Sequence, residues 1–457
     1  MSFELARRQF LYHSLTGLGA IALRAAEAKP HHEAKAKACI FLTMLGGVSQ
    51  MDTFDPKPAL EKFDNTVMDW SKEKLTDQVG LFVKPRLILK SPWKFAKHGQ
   101  SGRDVSELLP HLATCVDDLA FVKSVVTENG NHPAATFLMN TGFVLPGRPS
   151  VGAWTTYGLG SVNKNLPGFV VLPDFRALPF SGTQQWGPGF LPASYQGTMM
   201  QWKGSPIADL KSAAAITERD QTQQLEMLRA LNTSYLEGNH TNPELQGRID
   251  AYELAYRMQT EVPGVLNIDG ESEATKRMYG LDDEVTKSFG TRCLMARQMI
   301  EKGVRFVQLY TPSQSWDSHS DILKSHAKNA AETDKPIAAL IKDLKQRGLL
   351  DSTLIVWMGE FGRTPDNPAD TRNKPGRDHN TKAMTMFFAG GGIKAGSTVG
   401  ETDELGWKAV EKIYRMRDVH ATILNQMGLN DMRLSFYHGG RNMRLTDTGG
   451  VVIKEVV

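Results

Sequence analysis

The sequence predicts an α/β fold: a mainly parallel sheet with helices on both faces. Three observations carry this expectation. Helix-like and strand-like segments alternate through most of the chain. The strand-like segments are short unbroken apolar runs, such as "LIVWM" at Leu354 to Met358, the pattern of strands covered on both faces. Polar residues with useful chemistry gather just beyond several of these runs, at the end where open α/β sheets bind ligands.

The elements follow in order. "CIFLTML" reads as the first buried strand, closed by Gly46 and Gly47. "DVSELLPHLATCVDDLAFV" carries Leu108, Leu109, Leu112 and Val116 at helical spacing, and "AFVKSVV" reads as the second strand. Residues 143–205, rich in Gly, Pro, Trp and Ser, predict long surface loops. Near 207–262 the composition turns to Gln, Glu, Leu, Arg and Ala, which predicts a helical insertion beside the sheet. "FGTRCLMARQMIEKGVRFVQLY" gives a helix ending at Gly303 and a strand from Val304 to Tyr310. "ETDKPIAALIKDLKQRGLLDSTLIVWM" repeats helix then strand. "AMTMFFAGGG" is a further strand, and "DVHATILNQMGL" a helix stopped by Gly428.

The N-terminus is of a different kind. "ARRQFLYHSLTGLGAIALRAAEA" opens on Arg7 and Arg8, continues through Phe10 and Leu11 into a short apolar stretch, and reaches a small-x-small pattern at Ala26 to Ala28. Residues 1–28 therefore read as a twin-arginine-type export signal, with residues 29–457 as one α/β domain in an extracytoplasmic, periplasmic compartment. The apolar part falls short of the ~20 residues that a spanning helix needs, so no membrane span is expected once the signal is removed. The formal net charge is only +3 and no basic block occurs, which argues against nucleic acid as a partner. The three cysteines, Cys39, Cys115 and Cys293, are too far apart for a zinc knuckle and odd in number, so they read as structural thiols.

The candidate chemistry lies beyond the strands. After the first comes "GGVSQMDTFDPKP" with Ser49, Asp52 and Asp55, and after the second "NGNHPAATF" with His132 and Thr136. After "VRFVQLY" comes "SQSWDSHSD", in which Asp317 and His319 are two apart and share one side of an extended chain. Glu360 and Arg363 follow the "LIVWM" strand, and "GRDHN", with Asp378 and His379, precedes "AMTMFFAGGG". Carboxylate oxygens and imidazole nitrogens are the donors that a zinc- or manganese-type cation prefers. Asp52, Asp317, His319, Glu360 and His379 are accordingly the candidate ligands of a divalent metal, whether zinc, manganese or calcium. Arg363 suits a phosphate or sulfate oxygen through paired hydrogen bonds. Taken singly, each has a plain structural use. Asp52 and Asp55 suit turns ahead of Pro56 and Pro58, His132 suits a helix cap, and Glu360 suits an ion pair with Arg363.

On "GGVSQMDTFDPKP", "WDSH", "GEFGRTP", "GRDHN" and "FFAGGGIKAG", the chain closely resembles the DUF1501 family of exported bacterial proteins. It is more distantly similar to the alkaline phosphatase and sulfatase superfamily. That resemblance implies an alkaline-phosphatase-like three-layer sandwich. It places Glu360 at a metal-ligand Asp, His379 at a later His, and Asp317 and His319 in the region of a further Asp and His pair. The chain departs from the pattern in several places. Phe361 stands where a ligand His is expected, His132 where a nucleophile is expected, and Met44 and Leu45 where the first-strand Asp is expected, with Asp52 further along. The Cys-x-Pro-Ser-Arg signature of formylglycine sulfatases is absent. The resemblance implies a metal-dependent hydrolase of phosphate or sulfate esters, acting on an anionic small molecule or glycan. His132 or the Thr136 or Ser49 hydroxyl, or a metal-activated water, would attack, and Arg363 would bind the anion. The other reading is a non-catalytic binding protein on the same fold, whose site has lapsed.

Overall fold

The structure is a computed structural model. It describes residues 30–68, 86–204, 217–238, 253–258, 266, 268–368 and 373–457. The expected export signal at 1–28 lies outside these residues, as does half of the stretch 207–262, of which helix α3 (Glu218–Gly238) and residues 253–258 are described.

The architecture is a nine-stranded sheet with helices on both faces. Its strands are β1 (Ala38–Thr43), β2 (Leu119–Val126), β3 (Phe169–Leu172), β4 (Thr198–Met199), β5 (Phe306–Tyr310), β6 (Thr353–Met358), β7 (Met384–Ala389), β8 (Thr398–Val399) and β9 (Tyr414–Arg415). They lie in the order β8-β2-β7-β6-β1-β5-β3-β4, with β9 also paired to β2. β6, β1, β5, β3 and β4 run parallel, as do β8 and β9 with β2. β7 alone is antiparallel to its neighbours, β6 and β2. This geometry brings the carboxyl ends of β1, β2, β5 and β6 and the amino end of β7 to one rim. Those five ends carry every candidate residue.

Burial on both faces explains the composition of the strands. Along β1, Ala38, Ile40 and Leu42 enter one apolar layer, and Cys39 and Phe41 the other. The first layer packs helices α4 (Lys287–Glu301) and α5 (Ile322–Gln346) on the sheet. The second packs α1 (His132–Thr141), α2 (Val151–Leu159) and α6 (Met416–Gln426). Trp357 of β6 stacks on Phe387 of β7 with ring centroids 5.1 Å apart, a contact worth about 0.5–1.5 kcal/mol beyond its burial. All three cysteines are free and buried. Among the described residues, no helix is long and apolar enough to cross a membrane.

The structure corrects the sequence reading in two places. The stretch 143–205 is not all loop, because it holds α2 and β3, both buried. Gly152 and Gly158 sit in α2 where the helix presses on Phe169 and on Leu429 and Leu434, so the glycines mark close packing rather than turns. The apolar stripe from Leu108 to Val116 forms only a short 3-10 helix, Leu112–Asp118, before β2 begins.

Candidate metal centre

Each site residue is set by the end of a strand. Gly46, just past β1, has φ +114°, and a Cβ there would lie 2.4 Å from the Asp317 nitrogen. Only glycine lets the β1 loop pass so close to the β5 loop. The Gly46 N–H donates to both oxygens of Glu360, at 2.9 and 3.0 Å. Glu360, two residues past β6, is therefore turned inward and fully buried.

Glu360 in turn holds His132, the first residue of α1. His132 Nδ1 lies 2.6 Å from Glu360 Oε1, which fixes the proton on that nitrogen and aims Nε2 at Asp317. His132 Nε2 is buried and makes no hydrogen bond, although Asp317 Oδ2 is 3.3 Å away. Burial works to lower the pKa of His132, but the neighbouring carboxylates of Asp317 and Glu360 outweigh burial and raise it. The same field that holds a proton there attracts a metal cation.

His379 is paired with Arg363 in a two-residue ribbon. Its Nδ1 lies 2.6 Å from the Gly130 carbonyl. A carbonyl can only accept, so Nδ1 carries the proton and Nε2 offers a lone pair. That Nε2 is 3.5 Å from Asp317 Oδ1 and 2.9 Å from His319 Nε2, and His319 Nε2 is 3.3 Å from Asp317 Oδ1. Three imidazoles thus converge on one carboxylate. Burial alone would raise the Asp317 pKa, but His132, His379, Arg363 and His319 hold it well below the usual carboxylate range, so it is ionised.

Among the described residues, two sets of side chains can hold a cation: His132, Asp317 and His379, with ligand atoms within 4.8 Å of one another, and His319, Asp378 and His379 on the same criterion. Both need His379 Nε2, so one cation at a time is the geometric limit. Asp378 is already tied to Arg86, with Nη2 and Oδ2 3.0 Å apart. His132 Nε2 has no such tie, which favours the first set. Phe361 is fully buried against the rings of His132 and His379, with centroids 4.9 and 4.4 Å away, and walls the cluster on one side.

The remaining candidates sit as follows. Arg363 is wholly buried. It donates to the carbonyls of Gly46, Gly47 and Arg377 and to Asp317 Oδ1 at 2.6 Å. Its donors are spent inside the protein, where it offsets the charge of Asp317. Asp52 belongs to neither metal-competent set. It is buried in a two-point ion pair with Arg377, at 2.6 and 3.1 Å, and accepts from Ser49 Oγ at 2.5 Å. The Thr136 hydroxyl donates to the His132 carbonyl at 2.7 Å. Glu360 is not in either set and acts on the centre through His132. A cleft of about 420 Å³ adjoins the β5 loop at Ser320 and Asp321 but is lined by none of the converging residues.

Two residues outside the sequence candidates shape the site: His326 and Ser318, each buried. His326 falls on the apolar stripe of α5 with Ala330, Ile337, Leu340 and Leu344, and that spacing is the signal that marks it as buried.

The model of the DUF1501 family, described as "Protein of unknown function (DUF1501)", matches residues 36–457. No curated protein matches the chain. Among solved structures, the chain is similar to the lipoteichoic acid synthase LtaP from Listeria monocytogenes, at 10% identity over 93% of this chain and 78% of that one, with a TM-score of 0.39. It is similar to a mutant of TAB5 alkaline phosphatase with Mg bound, at 10% identity over 87% and 99%, with a TM-score of 0.36. It is also similar to the PsFucS1 sulfatase from Pseudoalteromonas sp., at 13% identity over 94% and 72%, with a TM-score of 0.32.

Proposed function

The chain belongs to the DUF1501 family, and we propose that it is an extracytoplasmic hydrolase of phosphate or sulfate esters that works with one divalent cation. The observation that carries this reading is His132 Nε2, buried, without a hydrogen bond, and facing the carboxylate that two further imidazoles approach. Imidazole-rich donors suit zinc or manganese better than calcium, which takes six to eight oxygens. The Arg7 and Arg8 motif supports the extracytoplasmic part.

His132 Nε2, Asp317 and His379 Nε2 would hold the cation, and three protein ligands leave the open position that catalytic sites keep. When bound, the cation supplies Lewis acidity toward an ester oxygen and lowers the pKa of water. The chain does the rest. Glu360 and the Gly130 carbonyl orient two of the imidazoles, and Arg363 compensates Asp317 from inside. The hydroxyls of Thr136 and Ser49 are spent on His132 and Asp52, so the attacking group is a water. His319 is half-exposed and lies at the rim of the triad. Burial lowers its pKa below the ordinary value, which keeps it neutral and able to accept the proton of that water. An anionic small-molecule or glycan ester is the substrate class that a cation reached from this side attracts.

The second reading, a non-catalytic binding protein on the same fold, draws on the same spent hydroxyls. Metal analysis of protein exported from its host, followed by a panel of phosphate and sulfate esters, tests the two. Bound zinc or manganese with turnover supports the hydrolase. Metal-free protein that neither takes up these cations nor turns over any ester overturns it.

A further inference from the structure

Behind the cluster runs a closed ring of buried hydrogen bonds that the reaction itself does not use. The Ser49 N–H donates to His326 Nε2 at 3.2 Å. An imidazole nitrogen that accepts from a backbone N–H carries no proton, so the proton of His326 is on Nδ1. That nitrogen lies 2.9 Å from Ser318 Oγ and donates to it. The Ser318 carbonyl accepts from the Arg377 N–H at 2.7 Å. The Arg377 guanidinium grips Asp52, and Asp52 accepts from Ser49 Oγ, which closes the ring. All five residues are buried.

The ring joins three chain segments and a helix: the β1 loop through Ser49 and Asp52, the β5 loop through Ser318, the approach to β7 through Arg377, and α5 through His326. Its members alternate with the site. Ser318 stands between Asp317 and His319, and Arg377 lies two residues before His379. The His326 ring is held in turn by Trp316, edge-on at 5.1 Å, and by Trp93, stacked at 6.3 Å. Burial keeps His326 neutral, since it pushes the pKa down to about 3. Asp52 and Arg377 compensate each other, so the ring needs no outside charge.

We infer that His326 is a positioning residue for the cation site: through Ser318 it fixes the neighbouring Asp317 side chain at the spacing that the cation requires. This rests on the cation site proposed above. It also gives Asp52 and Ser49 a role, as members of the scaffold rather than as ligand and nucleophile. Outer partners of metal ligands typically govern affinity by about 10–100-fold.

The test titrates the metal-stripped full chain with Zn2+ by calorimetry and records the absorption spectrum of the Co2+ form. The variants are His326→Phe, which keeps the ring shape without its nitrogens, and Ser318→Ala, which removes the same bond with little change in volume. His420→Phe is the control, because His420 is an equally buried imidazole that bonds Met139 O at 2.8 Å on the other face of the sheet. The inference predicts that His326→Phe and Ser318→Ala each weaken Zn2+ binding by about 10-fold or more and alter the Co2+ spectrum, while His420→Phe does neither. If His326→Phe does not fold, Ser318→Ala decides alone. Wild-type affinity and spectrum in Ser318→Ala overturn the inference. A wild-type chain that binds neither Zn2+ nor Co2+ overturns the cation site itself, which is a different result.

Discussion

His132 Nδ1 and Glu360 Oε1 lie 2.6 Å apart, and this one contact turns the first residue of a helix into a candidate metal ligand. The carboxylate of Glu360, just past β6, belongs to neither cation set with the other imidazoles. It governs an imidazole whose far nitrogen is left facing the centre. Replacement of Glu360 by Gln keeps the shape but loses the charge, and it is expected to weaken cation binding by about 10–100-fold with the fold intact. Calorimetric titration with Zn2+ checks this, and unchanged affinity would remove Glu360 from the account.

Arg363 is expected to report on stability rather than on substrate binding. Removal of one partner from a buried ion pair costs roughly 3–5 kcal/mol, so Arg363→Met should unfold at markedly lower urea concentration. A variant as stable as wild type but with a raised KM for anionic esters would instead return Arg363 to the role of anion binder.

His319 separates binding from turnover. His319→Gln is expected to lower kcat/KM by about 10²–10⁴-fold, the usual worth of a general base. Cation affinity should stay near that of wild type. Loss of both together would make His319 a ligand instead.

Gly46 permits the whole arrangement. Gly46→Ala places a Cβ 2.4 Å from the Asp317 nitrogen at a φ of +114°, and is expected to cost more than about 1 kcal/mol and to weaken Zn2+ binding. Urea unfolding and the same titration measure the two effects, and wild-type values in both would contradict the described β1–β5 approach.

Acid stability has a contribution remote from the site. Burial lowers the pKa of His420 to about 4, while in the unfolded chain it titrates near 6.5. The folded state therefore resists the proton, so the His420 contribution is full above about pH 6.5 and is lost as pH falls from there toward 4. Over that window it amounts to about 3 kcal/mol at most. His420→Gln should lose less stability than wild type between pH 7 and 4.5 in urea unfolding. An equal loss in both proteins would show that His420 does not titrate as described.

Much of this was legible in the sequence, for physical reasons. A strand buried on both faces must be an unbroken apolar run, so "CIFLTML" and "LIVWM" declared themselves. Chain order alone then put Asp317, His319, Glu360 and His379 at the ends of strands. Two things were hidden. α2 is packed closely on Phe169 of β3 through Gly152 and on Leu429 and Leu434 through Gly158, and small packing residues imitate a loop. The ring through His326 and Ser318 depends on pairs 277 and 8 residues apart, and no local spacing announces the longer of them. Asp52 and Arg363 looked like ligand and anion binder because sequence shows a charge but not the partner that neutralises it.

On the reading proposed here, His132, Asp317 and His379 share one cation. The most direct test is calorimetric titration of the metal-stripped chain with Zn2+ or Mn2+, beside His132→Ala and His379→Ala, with circular dichroism to verify the fold. One cation per wild-type chain, and loss of that site in both folded variants, is the expected result. No binding by the wild-type chain, or wild-type affinity in either variant, would contradict it.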